Sequence, residues 1–402
     1  MTPRRASRPG VRLSTELRER EAVKPLELYF DLVFVLAFTQ CTALMAAQPS
    51  WEGVARGMLV LAVLWWAWVG YAWLTSVIDP EEGTVRIVMF AAMAGLLVAA
   101  LGVPEAFDEQ ALTFAVAYGV VRAAHIALFL LASRDDVALR RSVFALAISS
   151  MTGVGLLIGA SFLDGVPQGS LWAIAILVDW GGPALIGAAG WRLVPAHFAE
   201  RHNLVIILAL GESVVALGVG AQVGLTARVI AAVVLGIALA SALWWIYFDV
   251  VALVTARRLT LATEGHQRNT LARDSYSYLH FPMVAGIVLA ALGIEETLAH
   301  VDETLDGVHA FALLGGIAVY LLAHVALRLR NAHSINVQRL ALALALLALI
   351  PAAMSVPALA TVSGVNVLLW AMIAYETATY DERRYRLRHG LEPDDPTPGS
   401  AP

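Results

Sequence analysis

The chain has 402 residues, 59% of them hydrophobic and 15% charged, with a formal net charge of -5. Soluble domains carry about 45–50% apolar and about 25% charged residues, so both shifts point to a membrane protein and exclude a disordered chain. The single cysteine, Cys41, excludes a disulfide scaffold. No basic patch is interleaved with stacking aromatics, which argues against nucleic acid as a partner.

A transmembrane helix needs roughly 20 mainly apolar residues. In chain order, twelve stretches qualify: 26–46, 55–75, 84–104, 111–131, 141–161, 170–190, 202–222, 228–248, 276–296, 307–327, 340–359 and 360–380. The runs are continuous and rich in Leu and Ala, without the alternation of a β-barrel, so the expected fold is all-α integral membrane with about 12 transmembrane helices. The short join at Pro357 leaves open eleven spans with a re-entrant piece. The expected organisation is a basic arm (1–24), a first six-helix repeat (25–191), a second (192–380) and a Pro-rich tail (381–402). The arm is polar and arginine-rich, with no apolar core of a cleavable signal. It reads as a mobile cytoplasmic segment able to rest on anionic lipid headgroups.

Orientation follows from Lys and Arg in short loops. With a cytoplasmic N-terminus, all but three of the 27 basic residues fall in the arm, the inner loops or the tail. Arg56 and Arg228 lie outside, and Arg122 lies within a span. A wrong helix count would scramble this bias from the error onward. Its persistence predicts an even number of spans and two cytoplasmic termini, in the inner membrane.

The halves also resemble each other. Residues 32–40 (LVFVLAFTQ) align without gaps with 204–212 (LVIILALGE), placing Asp31 on Asn203 and Gln40 on Glu212. Leu64-Trp65-Trp66 matches Leu243-Trp244-Trp245, residues 90–102 match 281–293, and His125 falls near His324. Two six-span units point the same way, which predicts parallel repeats with a site near the midplane, as in parallel-repeat transporters.

A charged side chain at the bilayer centre costs about 2.5–3.5 kcal/mol on insertion scales, so intramembrane polar residues are the functional candidates. Glu27 and Asp31, four residues apart, share a helix face, with Gln40 opposite Asp31. Asp179 sits before Gly181-Gly182-Pro183, a sequence that suggests a kink or an interrupted helix. Glu212 sits mid-span beside Gly211 and Ser213. These residues, with Asn203, are the candidate ligands of a small solute or cation. Arg122 is the one basic residue deep in a span, with Tyr118 and His125 one turn to either side. It needs a carboxylate partner, and Asp31, Asp179 or Glu212 could serve. Even with one acid neutralised, acids outnumber bases, which favours a cation or proton over an anion. His280, His125 and His202 are candidate relays, since histidine titrates near neutrality.

The P-loop, HExxH and GxSxG motifs are missing and no loop holds a catalytic domain, so no enzyme, cofactor or metal site is expected.

Two segments resemble a known family. Residues 25–40 (PLELYFDLVFVLAFTQ) resemble the ELFFDLVFVFAITQ opening of the bacterial low temperature requirement A family. Residues 200–213 (ERHNLVIILALGES) resemble its ERHGLFVIIALGES segment, and residues 276–282 (YSYLHFP) also fit. The resemblance spans nearly the whole chain. It implies a multi-pass membrane protein linked by name to growth in the cold, and no established biochemical activity. Its motif falls on Glu27, Phe30, Asp31, Gln40, Glu200, Arg201, His202, Gly211, Glu212 and Ser213, with Asn203 where glycine is common and Tyr29 where phenylalanine is common. Residues 29–34 (YFDLVF) are also similar to the FSD signature of a family of potassium channels, with Phe30 in place of its serine.

The expected function is a proton- or cation-coupled secondary transporter. The alternatives are a cation channel and a membrane sensor or structural factor for cold adaptation. The expected partners are the lipid bilayer, a small solute or cation, and a second copy of this chain.

Overall fold

The computed structural model describes residues 22–186, 190–381 and 384. The arm 1–24 lies almost wholly outside the described residues, as does most of the tail 381–402. The fold is all-helical. Among the described residues there is no β-strand, only an isolated bridge between Thr304 and Pro357.

The helices are α1 (Pro25–Ala47), α2 (Trp51–Thr75), α3 (Gly83–Leu101), α4 (Ala111–Ala132), α5 (Val137–Ala160), α6 (Gly165–Ile186), α7 (Pro195–Gly220), α8 (Ala227–Phe248) and α9 (Val251–Leu261). Then follow α10 (His266–Ala299), α11 (Gly307–Ala332), α12 (Val337–Ala353) and α13 (Ala358–Thr379). Side-chain caps mark several starts: Asp136 accepts from the Leu139 N–H, Thr226 from Val229 and Asn336 from Arg339.

Ten of these segments are long and apolar enough to cross a membrane, the α8–α9 segment (Ala227–Leu261) being one of them. Helix α12 is apolar but shorter, and α6 is outside the ten. Large apolar side chains also face outward along the helices: Ile148 is 71% exposed, Leu177 71% and Val367 68%. Water would penalise such faces, whereas lipid does not. The protein is therefore a multi-pass membrane protein.

The chain forms two compact units. Among the described residues, one comprises those up to 33 and those from 66 to 198, the other 34–65 and those from 199 onward, so α1 and α2 contribute to both. In the first unit α3 packs on α4, α4 on α5 and α5 on α6. Glycines bring these helices close: a Cβ on Gly119 would meet Val154, and one on Gly153 would meet the Ala175 carbonyl and Asp179 Cβ. Helix α6 stays α-helical through Pro183, so of the kink or interruption expected there the helix is not interrupted. In the second unit α10 packs on α11, α11 on α12, and α13 on α8. Here a Cβ on Gly286 would lie 2.5 Å from the Gly316 carbonyl, and one on Gly316 2.7 Å from the Ala290 nitrogen. Helix α10 carries a π-helical segment, Ala272–Tyr278, and α11 another, Phe311–Gly315. Such widened turns are frequent at functional sites.

Candidate functional site

In the first unit, Arg122 on α4 meets Asp179 on α6. Arg122 Nη2 lies 2.9 Å from Asp179 Oδ1, and both side chains are buried. Ser150 of α5 sits between them, accepting from Arg122 Nη2 and donating to Asp179 Oδ1 at 2.7 Å. Tyr118 donates to Asp179 Oδ2 at 3.2 Å. Arg122 also donates to the Trp66 carbonyl at 3.4 Å. The carboxylate thus has a counter-charge and three hydrogen bonds, the condition under which an ion pair survives burial. Gly70 makes room for it, since a Cβ there would stand 2.9 Å from Arg122 Nη1. His125, one turn along α4, holds the Gly70 carbonyl through Nε2 at 2.9 Å, while its buried Nδ1 has no partner among the described residues.

Glu27 and Asp31 sit on one face of α1, as their spacing predicts, and both are buried. Glu27 receives His197 Nε2 at 3.0 Å on each carboxylate oxygen, and the Lys24 backbone N–H at 2.9 Å. His197 Nδ1 lies 3.3 Å from Ser76 Oγ. Asp31 accepts from the Trp68 indole at 2.9 Å. The sequence reading missed His197, Ser76, Trp68 and Ser150. A histidine two residues after Pro195 at a helix start carried no periodic signal that would have marked it.

In the second unit, Glu212 is 2% exposed in the middle of α7. Thr39 Oγ1 donates to its Oε2 at 2.7 Å. No lysine, arginine or histidine pairs with Glu212 among the described residues, while Glu295 lies within electrostatic range. Gln40, on the same helix as Thr39, is half-buried and makes no side-chain hydrogen bond among the described residues.

Asn203, His202 and His280 come together. Tyr247 Oη on α8 lies 2.9 Å from Asn203 Oδ1 and 2.8 Å from His280 Nε2, and His280 Nδ1 donates to the Ser275 carbonyl at 2.8 Å. The His202 ring lies 5.4 Å from His280 and 5.0 Å from Tyr276. Of the ten candidate residues, Arg122, Asp179, His125, Glu27 and Asp31 belong to the first unit, and Glu212, Gln40, Asn203, His202 and His280 to the second. Among the described residues no group of three or more His, Cys, Asp or Glu side chains could hold a metal ion.

A Rhizobium meliloti (strain 1021) protein described as uncharacterized is 31% identical over 308 residues, which cover 73% of this chain and 74% of that protein. No solved structure matches the chain. The model of the family described as bacterial low temperature requirement A protein (LtrA) matches residues 22–374, so that the chain belongs to the LtrA family.

Proposed function

We propose that the protein is a proton- or cation-coupled secondary transporter of the bacterial inner membrane, with both termini cytoplasmic, and that it is not an enzyme. The twelve apolar stretches, taken as two parallel six-helix repeats, give the frame in which such carriers place their sites near the midplane. One observation carries the reading: Glu212 is a buried carboxylate with a hydroxyl donor, Thr39, and no cationic side chain beside it among the described residues. An ionised carboxylate in a low-dielectric site must either take up a proton or hold a cation. A group that exchanges these two states is what cation coupling requires. Asp179 differs, because Arg122 already neutralises it. Of these two acids Glu212 therefore takes the coupling role, and Arg122–Asp179 becomes the fixed brace of the first unit.

The test uses the full-length protein in proteoliposomes with a trapped pH indicator and an imposed sodium or potassium gradient. The expected result is cation-driven proton movement that Glu212→Gln reduces at least tenfold and Asp179→Asn reduces only as far as it unfolds the protein. Equal movement in Glu212→Gln and wild type overturns the role of Glu212. An ohmic, voltage-driven current indifferent to the pH gradient would instead assign a channel.

A further inference from the structure

The second unit holds a buried hydrogen-bond chain that the coupling role of Glu212 does not use. It runs from the Ser275 carbonyl through His280 and Tyr247 to Asn203. His280 is 0% and Tyr247 1% exposed, whereas Asn203 is only partly buried, so one end of the chain approaches the surface of its unit.

The direction of the hydrogen bonds is set by chemistry. A carbonyl only accepts, so His280 Nδ1 carries a proton toward Ser275. The π-helical turn Ala272–Tyr278 presents that carbonyl to the ring. In neutral His280, Nε2 is then a bare acceptor and Tyr247 must donate to it. Tyr247 has a single hydroxyl proton, yet Asn203 Oδ1, also an acceptor, lies 2.9 Å from the same oxygen. Two arrangements pair both His280 Nε2 and the Tyr247 hydroxyl. In one, His280 is neutral, Tyr247 donates to Nε2, and Asn203 turns its amide NH2 toward the phenol oxygen. In the other, His280 is an imidazolium, Nε2–H donates to Tyr247, and Tyr247 donates to Asn203 Oδ1, the Asn203 atom that faces the phenol in the structure.

We propose that His280, Tyr247 and Asn203 form a proton-binding site, separate from Glu212, in which uptake of one proton at His280 Nε2 reverses the Tyr247 hydrogen bond and turns the Asn203 amide. One proton enters and one N–H bond forms. No other covalent bond breaks, and His280 Nε2 and the Tyr247 hydroxyl are paired with each other in both states. That pairing distinguishes the site from an ordinary buried histidine, for which charging leaves an unmet donor.

One neighbour of the ring favours a cation. The Tyr276 ring stacks on His280 at 5.0 Å with the planes 17° apart, and an aromatic face stabilises a charged ring above it. His202 of α7 meets the same ring edge-on at 5.4 Å. From α11, His324 approaches Tyr247 at 6.0 Å, with its Nδ1 turned to the Tyr320 carbonyl and its buried Nε2 without a partner among the described residues. The guanidinium on this side, Arg339 of α12, is neutralised by Glu376 of α13 at 2.9 Å. The groups that face the site are thus Tyr276, His202, His324 and the Arg339–Glu376 ion pair.

The test follows His280 in full-length protein carrying 15N-labelled histidine in lipid nanodiscs, with no gradient applied and His280→Gln to assign its signal. The expected result is an imidazole that gains a proton as pH falls, together with an infrared change of the Asn203 amide carbonyl. Tyr247→Phe, which removes one oxygen atom, lowers the midpoint by about one pH unit, a tenfold loss of proton affinity, because a hydrogen bond to a charged donor is worth more than a neutral one. Asn203→Leu shifts it the same way, since it strands the Tyr247 proton in the charged state. Asn203→Asp shifts it the opposite way, since it supplies an anion. Glu212→Gln leaves it in place, so failure of the coupling role leaves this result standing. A His280 that stays neutral down to the lowest pH at which the fold persists overturns the site. So do Asn203→Leu and Asn203→Asp midpoints that move in one direction, or a Tyr247→Phe midpoint equal to that of wild type.

Discussion

Arg122 and Asp179, 57 positions apart in sequence, form a buried ion pair at 2.9 Å with Ser150 bridging it. Removing one partner of such a pair leaves the other charge buried alone, which costs about 3–5 kcal/mol. Asp179→Asn and Arg122→Gln are each expected to lower the thermal midpoint of the detergent-solubilised protein sharply. The double variant Arg122→Met/Asp179→Leu is expected to lose much less than the sum of Arg122→Met and Asp179→Leu alone. A double variant whose loss equals that sum would show that the two residues do not act as a pair.

Glu212 sets up the opposite expectation. Its carboxylate lacks a cationic neighbour among the described residues, and glutamine keeps an oxygen for the Thr39 hydroxyl. Glu212→Gln is therefore expected to leave thermal stability unchanged or raise it by up to about 1 kcal/mol, because the cost of burying a charge disappears. A large fall in stability would show that Glu212 is a structural residue.

The seam between α10 and α11 depends on glycine. A side chain on Gly316 would meet the Ala290 nitrogen and the Gly286 carbonyl, both at 2.7 Å, and backbone cannot move aside as a flexible side chain can. Gly316→Val is expected to cost about 3 kcal/mol or more, at or above the usual range for overpacking. Gly364→Val on α13, where a Cβ meets nothing within 4 Å, is the control and is expected to cost little by comparison. Equal losses would argue against close helix approach at Gly316.

Asp306, in the loop before α11, caps that helix. Its Oδ1 accepts the N–H groups of Val308 at 2.8 Å and His309 at 2.9 Å, and its Oδ2 meets His309 Nδ1 at 2.8 Å. Partial burial pushes the Asp306 carboxyl up. The hydrogen bonds from His309 and Val308, with the His309 charge, outweigh this and hold it below the usual aspartate range. A depressed folded-state value means that the contribution is fully present above the ordinary aspartate pKa of about 3.9 and is lost as pH falls through the lower folded value. Asp306→Ala is expected to cost about 1 kcal/mol at neutral pH and nothing below that window. Thermal melts of both proteins against pH check this, and parallel curves throughout would remove the cap from the account.

The helical, membrane-spanning character of the chain was legible from residues alone. Burying a backbone in lipid demands long apolar helices, a requirement met locally within each run of about 20 residues. The shared face of Glu27 and Asp31 was equally local, because helical periodicity fixes it. Which charges meet was not legible. Arg122 had three eligible acids, and the choice of Asp179 depends on α4, α5 and α6 packing closely through Gly119 and Gly153. Glu27 found His197 170 positions away, and Glu212 found Thr39 173 positions away. Pairing in the interior depends on geometry between distant helices, whereas apolarity is a property each segment carries by itself. Composition and motif therefore determined the membrane class and the family, and tertiary packing alone decided which buried carboxylate is neutralised and which has no cationic partner among the described residues.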